Sequence, residues 1–219
     1  MFTQSIASLI QDDAKIEALT KEIIDNGYMV VSNFFDQETL AELHHMARNP
    51  QFQNKKMSDL TDTLIGKIGY SDEIVLLSQK ICDARSKITG KPKVTIEKNK
   101  QAIGMPYKNA SDATNKVTAY HYDGAYINLL FALTMPPHQG KGDGNLILFP
   151  SIRERYAPFL AKVVSRLLGH SKLFRKLYGY TEVIYQIDAM HIFFGDISLH
   201  GVEPIKSGQR AVITINSHW

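Results

Sequence analysis

The chain has 219 residues, 44% hydrophobic and 21% charged, which suits a single globular domain that buries a core without metal or disulfide staples. Its net charge of +3 is too small to imply a polyanion such as nucleic acid as partner, and one cysteine, Cys82, excludes an intrachain disulfide framework and points to a reducing compartment. Residues 1–13 lack the basic start and apolar run of a secretory signal, and no stretch approaches the roughly 20 apolar residues of a membrane span, so the expectation is a cytoplasmic protein.

In chain order, Ile16, Leu19, Ile23 and Ile24 recur at helical spacing, and Asn26-Gly27 supplies a stop. A short β-prone run follows at 28–31. Asp36 has the chemistry of an N-cap, with Phe35 and Leu40 placed as a hydrophobic staple, and Leu43 and Ala47 continue the apolar stripe of that helix. A further helix is predicted over 72–87, with Ile74, Leu77, Ile81 and Cys82 inward. Residues 1–92 thus read as a mainly helical layer.

From residue 93 the texture changes to short β-prone runs separated by Gly, Pro, Asn and Asp. Strands are expected at 94–97, 117–123, 127–134, 145–149, 183–187, 191–194 and 211–215. Many short strands with turn signals between them suggest a sandwich, jelly roll or barrel. Residues 151–180 interrupt the pattern with helical periodicity in Tyr156, Phe159, Leu160, Val163, Val164, Leu167 and Leu168. Between residues 153 and 180, seven Lys or Arg stand against one acid, Glu154. Such a basic run is most often a solvated face, and it is also a candidate contact for an anionic substrate. The fold class read from this is mainly β with α: a double-stranded β-helix, or jelly roll, with N-terminal helices and a helical insertion expected to shape the barrel mouth. It forms one domain over 1–219.

Chemistry concentrates in two places. His121 and Asp123 end a β-prone run, and residues i and i+2 of a strand point to one face, so both can aim at one point. An imidazole and a carboxylate completed by a second imidazole make a three-ligand face that leaves coordination positions open. His-x-Asp alone is a weak signal, equally compatible with a polar strand end facing water. The second place is His200-Gly201-Val202-Glu203-Pro204, followed by a turn at Lys206-Ser207-Gly208 and by Arg210 opening the next strand. From a neighbouring strand Arg210 can face the cavity of His200, and a guanidinium binds a carboxylate bidentately.

His-x-Asp followed by His-Gly-Val-x-Pro-x-x-x-Gly-x-Arg resembles the Fe(II)/2-oxoglutarate-dependent dioxygenase superfamily, in its prolyl-hydroxylase-like and phytanoyl-CoA-hydroxylase-like branches. The resemblance runs from residue 117 to the C-terminus, interrupted by the insertion, with a weaker echo at 27–43. The stretch Gly144 to Pro150 is also similar to a family segment, although Asn145 departs from its usual acid. The resemblance implies Fe(II) held by His121, Asp123 and His200, 2-oxoglutarate as co-substrate with its distal carboxylate on Arg210, O2 as oxidant and ascorbate as an auxiliary reductant. It implies hydroxylation of a C–H bond with release of succinate and CO2, desaturation and cyclisation being variants. Asp123 speaks against halogenation, and Asn216, where nucleic-acid demethylases carry a second arginine, speaks against base repair.

Strand alternation makes Asn128 and Thr214 the polar inward candidates beside the co-substrate, and sends Tyr120 and Tyr122 to the face opposite His121, into packing. Some relatives carry a tyrosine near Ala132, a contact that must be replaced or lost here. His191 is the main rival to His200 but lacks the following Gly-Val-x-Pro. His44 and His45 read as surface residues, His138 as a loop residue near the mouth, and His170 and His218 as peripheral. The substrate expected is a small molecule, amino-acid-like. Two other classes stay open: a non-oxidative metal barrel of the cupin kind, which has no need of Arg210, and a metal-free β-sandwich binding module.

Overall fold

The computed structural model describes residues 1–53, 57–113, 115, 120–137, 140, 142–150, 160, 163–164, 167 and 171–218. The N-terminal part forms α1 (Gln4–Gln11), α2 (Asp13–Asn26), β1 (Met29–Val31), α3 (Gln37–Arg48), α4 (Met57–Leu60), α5 (Leu64–Gly69) and α6 (Asp72–Thr89). The longer helices begin on side-chain caps: Asp12 accepts from the Lys15 amide, Asp36 from Thr39 and Ser71 from Ile74. Gly27 ends α2 in the left-handed conformation, φ 88°. α1, which the apolar spacing did not suggest, is fixed by Thr3 at its start and buries Ile6 and Ile10.

The strands that follow are β2 (Ala102–Gly104), β3 (Tyr107–Asn109), β4 (Ile127–Thr134), β5 (Leu146–Phe149), β6 (Thr181–Val183), β7 (Met190–Phe193), β8 (Leu199–Val202) and β9 (Gln209–Ser217), with α7 (Lys172–Tyr178) before β6. The major sheet runs β1-β7-β4-β9-β2, with β3 also on β9, and the minor sheet runs β6-β5-β8. Every strand pairing is antiparallel. The two sheets face each other: Leu130, Ala132, Phe193 and Val212 pack against Leu146, Leu148 and Val183. This is the expected jelly roll.

The opposite face of the major sheet, with Leu129, Phe131, Ile192, Ile213 and Ile215, is covered by Leu43, Ile74, Leu77 and Ile81 of the helices. With both faces covered, β4 reads as the near-continuous apolar run INLLFALT. Each such side chain removed from water contributes roughly 1.5–3 kcal/mol, and this helix-on-sheet layer is what holds β4, β7 and β9 in register.

Several expected elements differ. Residues 94–97 are not a strand. Gln79 of α6 donates to the Val94 carbonyl and accepts from the Ile96 amide, so a helix side chain takes the place of a strand partner. Of 117–123, residues 117–119 lie outside the described residues, and His121 makes a single bridge to His200. At 183–187 the strand is Thr181–Val183, because the chain then turns through Asp188 at φ 60°. β2, β3 and β8 have only three or four residues and no alternation to announce them.

Part of the insertion packs on the minor sheet. Of its described residues, Val164 is buried and joins Tyr178 over Ile147, Phe149 and Leu199, together with Tyr120 and Tyr122. β5 and β8 send Leu146, His200 and Val202 into the cavity between the sheets, so Ile147, Phe149 and Leu199 lie on the outer face. Val164 and Tyr178 therefore cover the back of the minor sheet, whose outer face is apolar and needs a cover, while the cover expected at the barrel mouth falls largely on residues outside the described ones. Leu160, Val163 and Leu167 of the periodic stripe are exposed; Tyr156, Phe159 and Leu168 lie outside the described residues.

Candidate metal centre

His121, Asp123 and His200 each offer a ligand atom, and these atoms lie within 4.8 Å of one another. His121 Nε2 is 3.4 Å from Asp123 Oδ1, and His200 Nε2 is 3.2 Å from Asp123 Oδ2. Adjacent ligands on an octahedral ion with bonds of about 2.1 Å are about 3 Å apart, so the donor set and its spacing fit a divalent transition metal bound by two imidazoles and a carboxylate. The fold explains the convergence. His121 and His200 bridge each other through both backbone pairs, at 3.0 Å, which puts two imidazoles side by side at the edge of the minor sheet. Asp123, two residues on, is fastened by its backbone N–H to the Gly195 carbonyl at 3.1 Å.

Second contacts orient these groups. The Ser198 carbonyl lies 3.0 Å from His200 Nδ1; a proton there would leave the Nε2 lone pair for an ion, which would take the place of the Nε2–Asp123 hydrogen bond. Asn128 of β4 donates its Nδ2 to Asp123 Oδ2. Burial alone would raise the Asp123 carboxyl, but hydrogen bonds from the His121 and His200 rings and from Asn128 outweigh it and hold the group well below the usual carboxylate range. An ionised carboxylate suits cation binding. Exposure is uneven: the His200 side chain is 6% exposed, Asp123 20% and His121 47%, so the site opens on the His121 side.

Behind the three residues lies a cavity of about 170 Å³. Arg210, Thr214 and Asn216 enter it from β9, Asn128 and Leu130 from β4, and Tyr185 from the segment after β6. Arg210 is buried; its Nη1 donates to the Gly144 carbonyl at 3.0 Å, while its Nε has no acceptor and no carboxylate pairs with it among the described residues. Burial lowers its pKa. A buried guanidinium without a counter-ion is costly unless an anion arrives. Gly144, at φ 73°, is needed for that carbonyl, since a Cβ there would stand 2.5 Å from Ile205 Cγ2. The loop carrying Gly144 is fastened by Asn145, which donates to the Gly140 carbonyl and to Glu182 Oε1, each at 2.7 Å.

The structure thus brings His121, Asp123, His200, Asn128, Arg210 and Thr214 around one cavity. Asn128 acts on Asp123 rather than standing free toward the cavity, and Thr214 Oγ1 donates to the Gly104 carbonyl at 3.3 Å. Tyr120 and Tyr122 pack on the outer face, as alternation requires. His191 is fully buried between the sheets, accepts from the Gln186 amide at 3.1 Å and stacks edge-on against Tyr185, so it is a core histidine. His44 is half-buried rather than a surface residue, with Nε2 2.8 Å from Asp188 Oδ1. His138 and His170 lie outside the described residues.

Tyr185 was not among the predicted site residues, though alternation from Val183 could have placed it inward. Its ring lines the cavity, and burial pushes its hydroxyl up to about 12 against the pull of the Arg210 charge, so it stays a neutral donor.

No protein-family profile and no curated protein matches the sequence. Solved structures do match. A prolyl 4-hydroxylase from Phytophthora capsici aligns at TM-score 0.61 and 15% identity, covering 100% of this chain and 66% of that one, so this chain spans just under two thirds of that enzyme's length. The alpha-ketoglutarate-dependent epimerase SnoN of nogalamycin biosynthesis, also solved with Fe3+ and alpha-ketoglutarate, aligns at TM-score 0.63 and 14% identity, covering 94% of this chain and 84% of that one. A Trichoplax adhaerens prolyl hydroxylase bound to a hypoxia-inducible-factor peptide aligns at 0.57 and 14%, covering 96% and 92%. Likeness at this level of identity shows the fold.

Proposed function

Starting from a chain that has the fold of the Fe(II)/2-oxoglutarate oxygenases, we propose that it is an Fe(II)- and 2-oxoglutarate-dependent dioxygenase hydroxylating a C–H bond of a small, amino-acid-like molecule. It works as one domain in the cytoplasm. Among the described residues no helix is long and apolar enough to cross a membrane. The observation that carries the reading is the pairing of a His121–Asp123–His200 donor set with the buried guanidinium of Arg210, which has no carboxylate partner among the described residues, around the same cavity. A plain metal-binding barrel accounts for the first and leaves the second unexplained.

In this reading His121, Asp123 and His200 hold the iron. Arg210 takes the distal carboxylate of 2-oxoglutarate, with Tyr185 as a neutral donor beside it and Thr214 able to join once its hydroxyl turns from the Gly104 carbonyl. The apolar walls Leu130, Leu146, Phe193, Val202 and Val212 exclude water from the chain of the diacid. Asn128 keeps the Asp123 carboxylate turned toward the ion. Together, iron and 2-oxoglutarate supply activation of O2, with succinate and CO2 as the by-products and ascorbate as an auxiliary reductant. The cavity of about 170 Å³ suits a five-carbon diacid and little more. The primary substrate therefore approaches from the side where His121 is exposed.

The test is succinate release from labelled 2-oxoglutarate by protein loaded anaerobically with Fe(II), then exposed to O2 with a panel of free amino acids and small carboxylates. Turnover should depend on His200 and collapse in Arg210→Ala. A protein that binds iron at the three residues yet releases no succinate, or releases it equally without Arg210, would sink the oxygenase reading in favour of a non-oxidative barrel.

A further inference from the structure

Two of the three candidate ligands depend on one short connection, the turn from Phe194 to Ser198 that joins β7 to β8. Its Gly195 carbonyl holds the Asp123 backbone at 3.1 Å, and its Ser198 carbonyl stands against His200 Nδ1 at 3.0 Å. Gly195 has no side chain because Asn128, which donates to Asp123, fills the space above it. The turn thus acts as a template for the site.

The template is gripped from the helical layer. Arg85 of α6, 1% exposed, sends Nη1 and Nη2 to Asp196 Oδ1 and Oδ2 at 2.9 and 3.1 Å. Its guanidinium carbon lies 4.1 Å from the Tyr126 ring centre and 4.2 Å from that of Phe194. The planar fork binds a carboxylate while resting against two aromatic rings, an arrangement that no ammonium or apolar side chain reproduces. A buried ion pair of this kind adds little net stability over well-packed apolar side chains. What it does supply is one fixed orientation for Asp196 and Phe194, and so for the two carbonyls on either side of Asp196.

We infer that Arg85 is a positioning residue for the metal site: by clamping Asp196 and Phe194 it sets the Gly195 and Ser198 carbonyls, and through them the directions of Asp123 and His200. This rests on the proposed metal reading of the site. Arg85 belongs neither to the donor set nor to the cavity lining, and its effect passes through the turn.

The test is Mn(II) affinity by titration calorimetry, beside thermal stability, for wild type, Arg85→Lys, Asp196→Asn and Leu43→Ala. Leu43 is buried on α3, a different helix from that of Arg85, and serves as a control for general destabilisation. Arg85→Lys and Asp196→Asn should each raise the Mn(II) Kd about 10-fold or more, the scale seen when ligand-orienting partners are lost, while Leu43→Ala lowers Tm and leaves Kd within about 2-fold. Should Arg85→Lys not fold, Asp196→Asn decides, because it keeps the shape of the partner. Wild-type Mn(II) affinity in Asp196→Asn, or a Kd shift no larger than that of Leu43→Ala, overturns the inference. Failure of wild type itself to bind Mn(II) would instead strike the triad reading beneath it.

Discussion

A methyl group added at Gly195 gives a sharp test of how Asp123 is held. A Cβ there would stand 2.5 Å from Asn128 Oδ1 and 2.9 Å from both Cγ and Nδ2. Asn128 is buried on the central strand β4, registered with Phe193 on one side and Asn216 on the other, so its backbone has nowhere to slide. Its side chain must rotate, and Nδ2 then leaves Asp123 Oδ2. A hydrogen bond to a charged acceptor contributes about 1.5–3 kcal/mol, which corresponds to about 10- to 100-fold in affinity if it acts wholly on the orientation of the ligand. Mn(II) titration of Gly195→Ala, Asn128→Ala and the double variant reads this directly. If the methyl acts through Asn128, it adds less than about 0.5 kcal/mol once Asn128 is already alanine. An equal loss with and without Asn128, or no loss at all, would refute the reasoning.

Three further outcomes follow from the same geometry. Arg210→Met should weaken 2-oxoglutarate binding by about 100-fold or more while leaving Mn(II) affinity intact, because it removes one side of a buried charge pair, worth about 3–5 kcal/mol; calorimetry on the Mn(II)-loaded protein separates the two. Tyr185→Phe should raise the 2-oxoglutarate Kd about 10-fold with little change in Tm, the loss of one hydrogen bond to a charged group, and an unchanged Kd would remove Tyr185 from the site. Burial lowers His191 from 6.5 to about 4, so between those values the unfolded chain binds a proton that the native chain refuses. The stability this supplies is complete above pH of about 6.5 and lost as pH falls to about 4, a loss of about 3 kcal/mol. Urea unfolding at pH 7.5, 5.5 and 4.5 should show His191→Leu with a shallower pH dependence than wild type by that amount.

The parts of the fold that were legible in the sequence are those where one physical rule dominates locally. Asp36 and Gly27 announce helix ends through capping chemistry, and α6 announces itself through Ile74, Leu77 and Ile81. β4 is long and apolar enough to stand out, and alternation correctly put Tyr120 and Tyr122 behind the minor sheet. What failed depends on tertiary partners. Val94 and Ile96 look like a strand, yet their backbone groups are taken by Gln79, a side chain from the helix just before them. β8 carries His200 but contains Gly201 and only four residues, so no pattern marks it.

The candidate site shows the same division. His121, Asp123, His200 and Arg210 could be picked out because their residue types and spacing carry the chemistry. Gly195, Ser198, Asp196 and Arg85 could not, since a glycine, a serine carbonyl and an ion pair between a helix and a turn have meaning only once the chain is folded. In the insertion, helical periodicity did not tell that Val164 and Tyr178 pack on Ile147, Phe149 and Leu199, because that apolar sheet face exists only once the chain is folded.

The most direct measurement is a crystal structure grown anaerobically with Mn(II) and 2-oxoglutarate. The account predicts a single ion about 2.2 Å from His121 Nε2, an Asp123 oxygen and His200 Nε2, with the far carboxylate of the diacid against Arg210 and Tyr185. An ion bound elsewhere, or a diacid whose distal carboxylate lies away from Arg210, would contradict it.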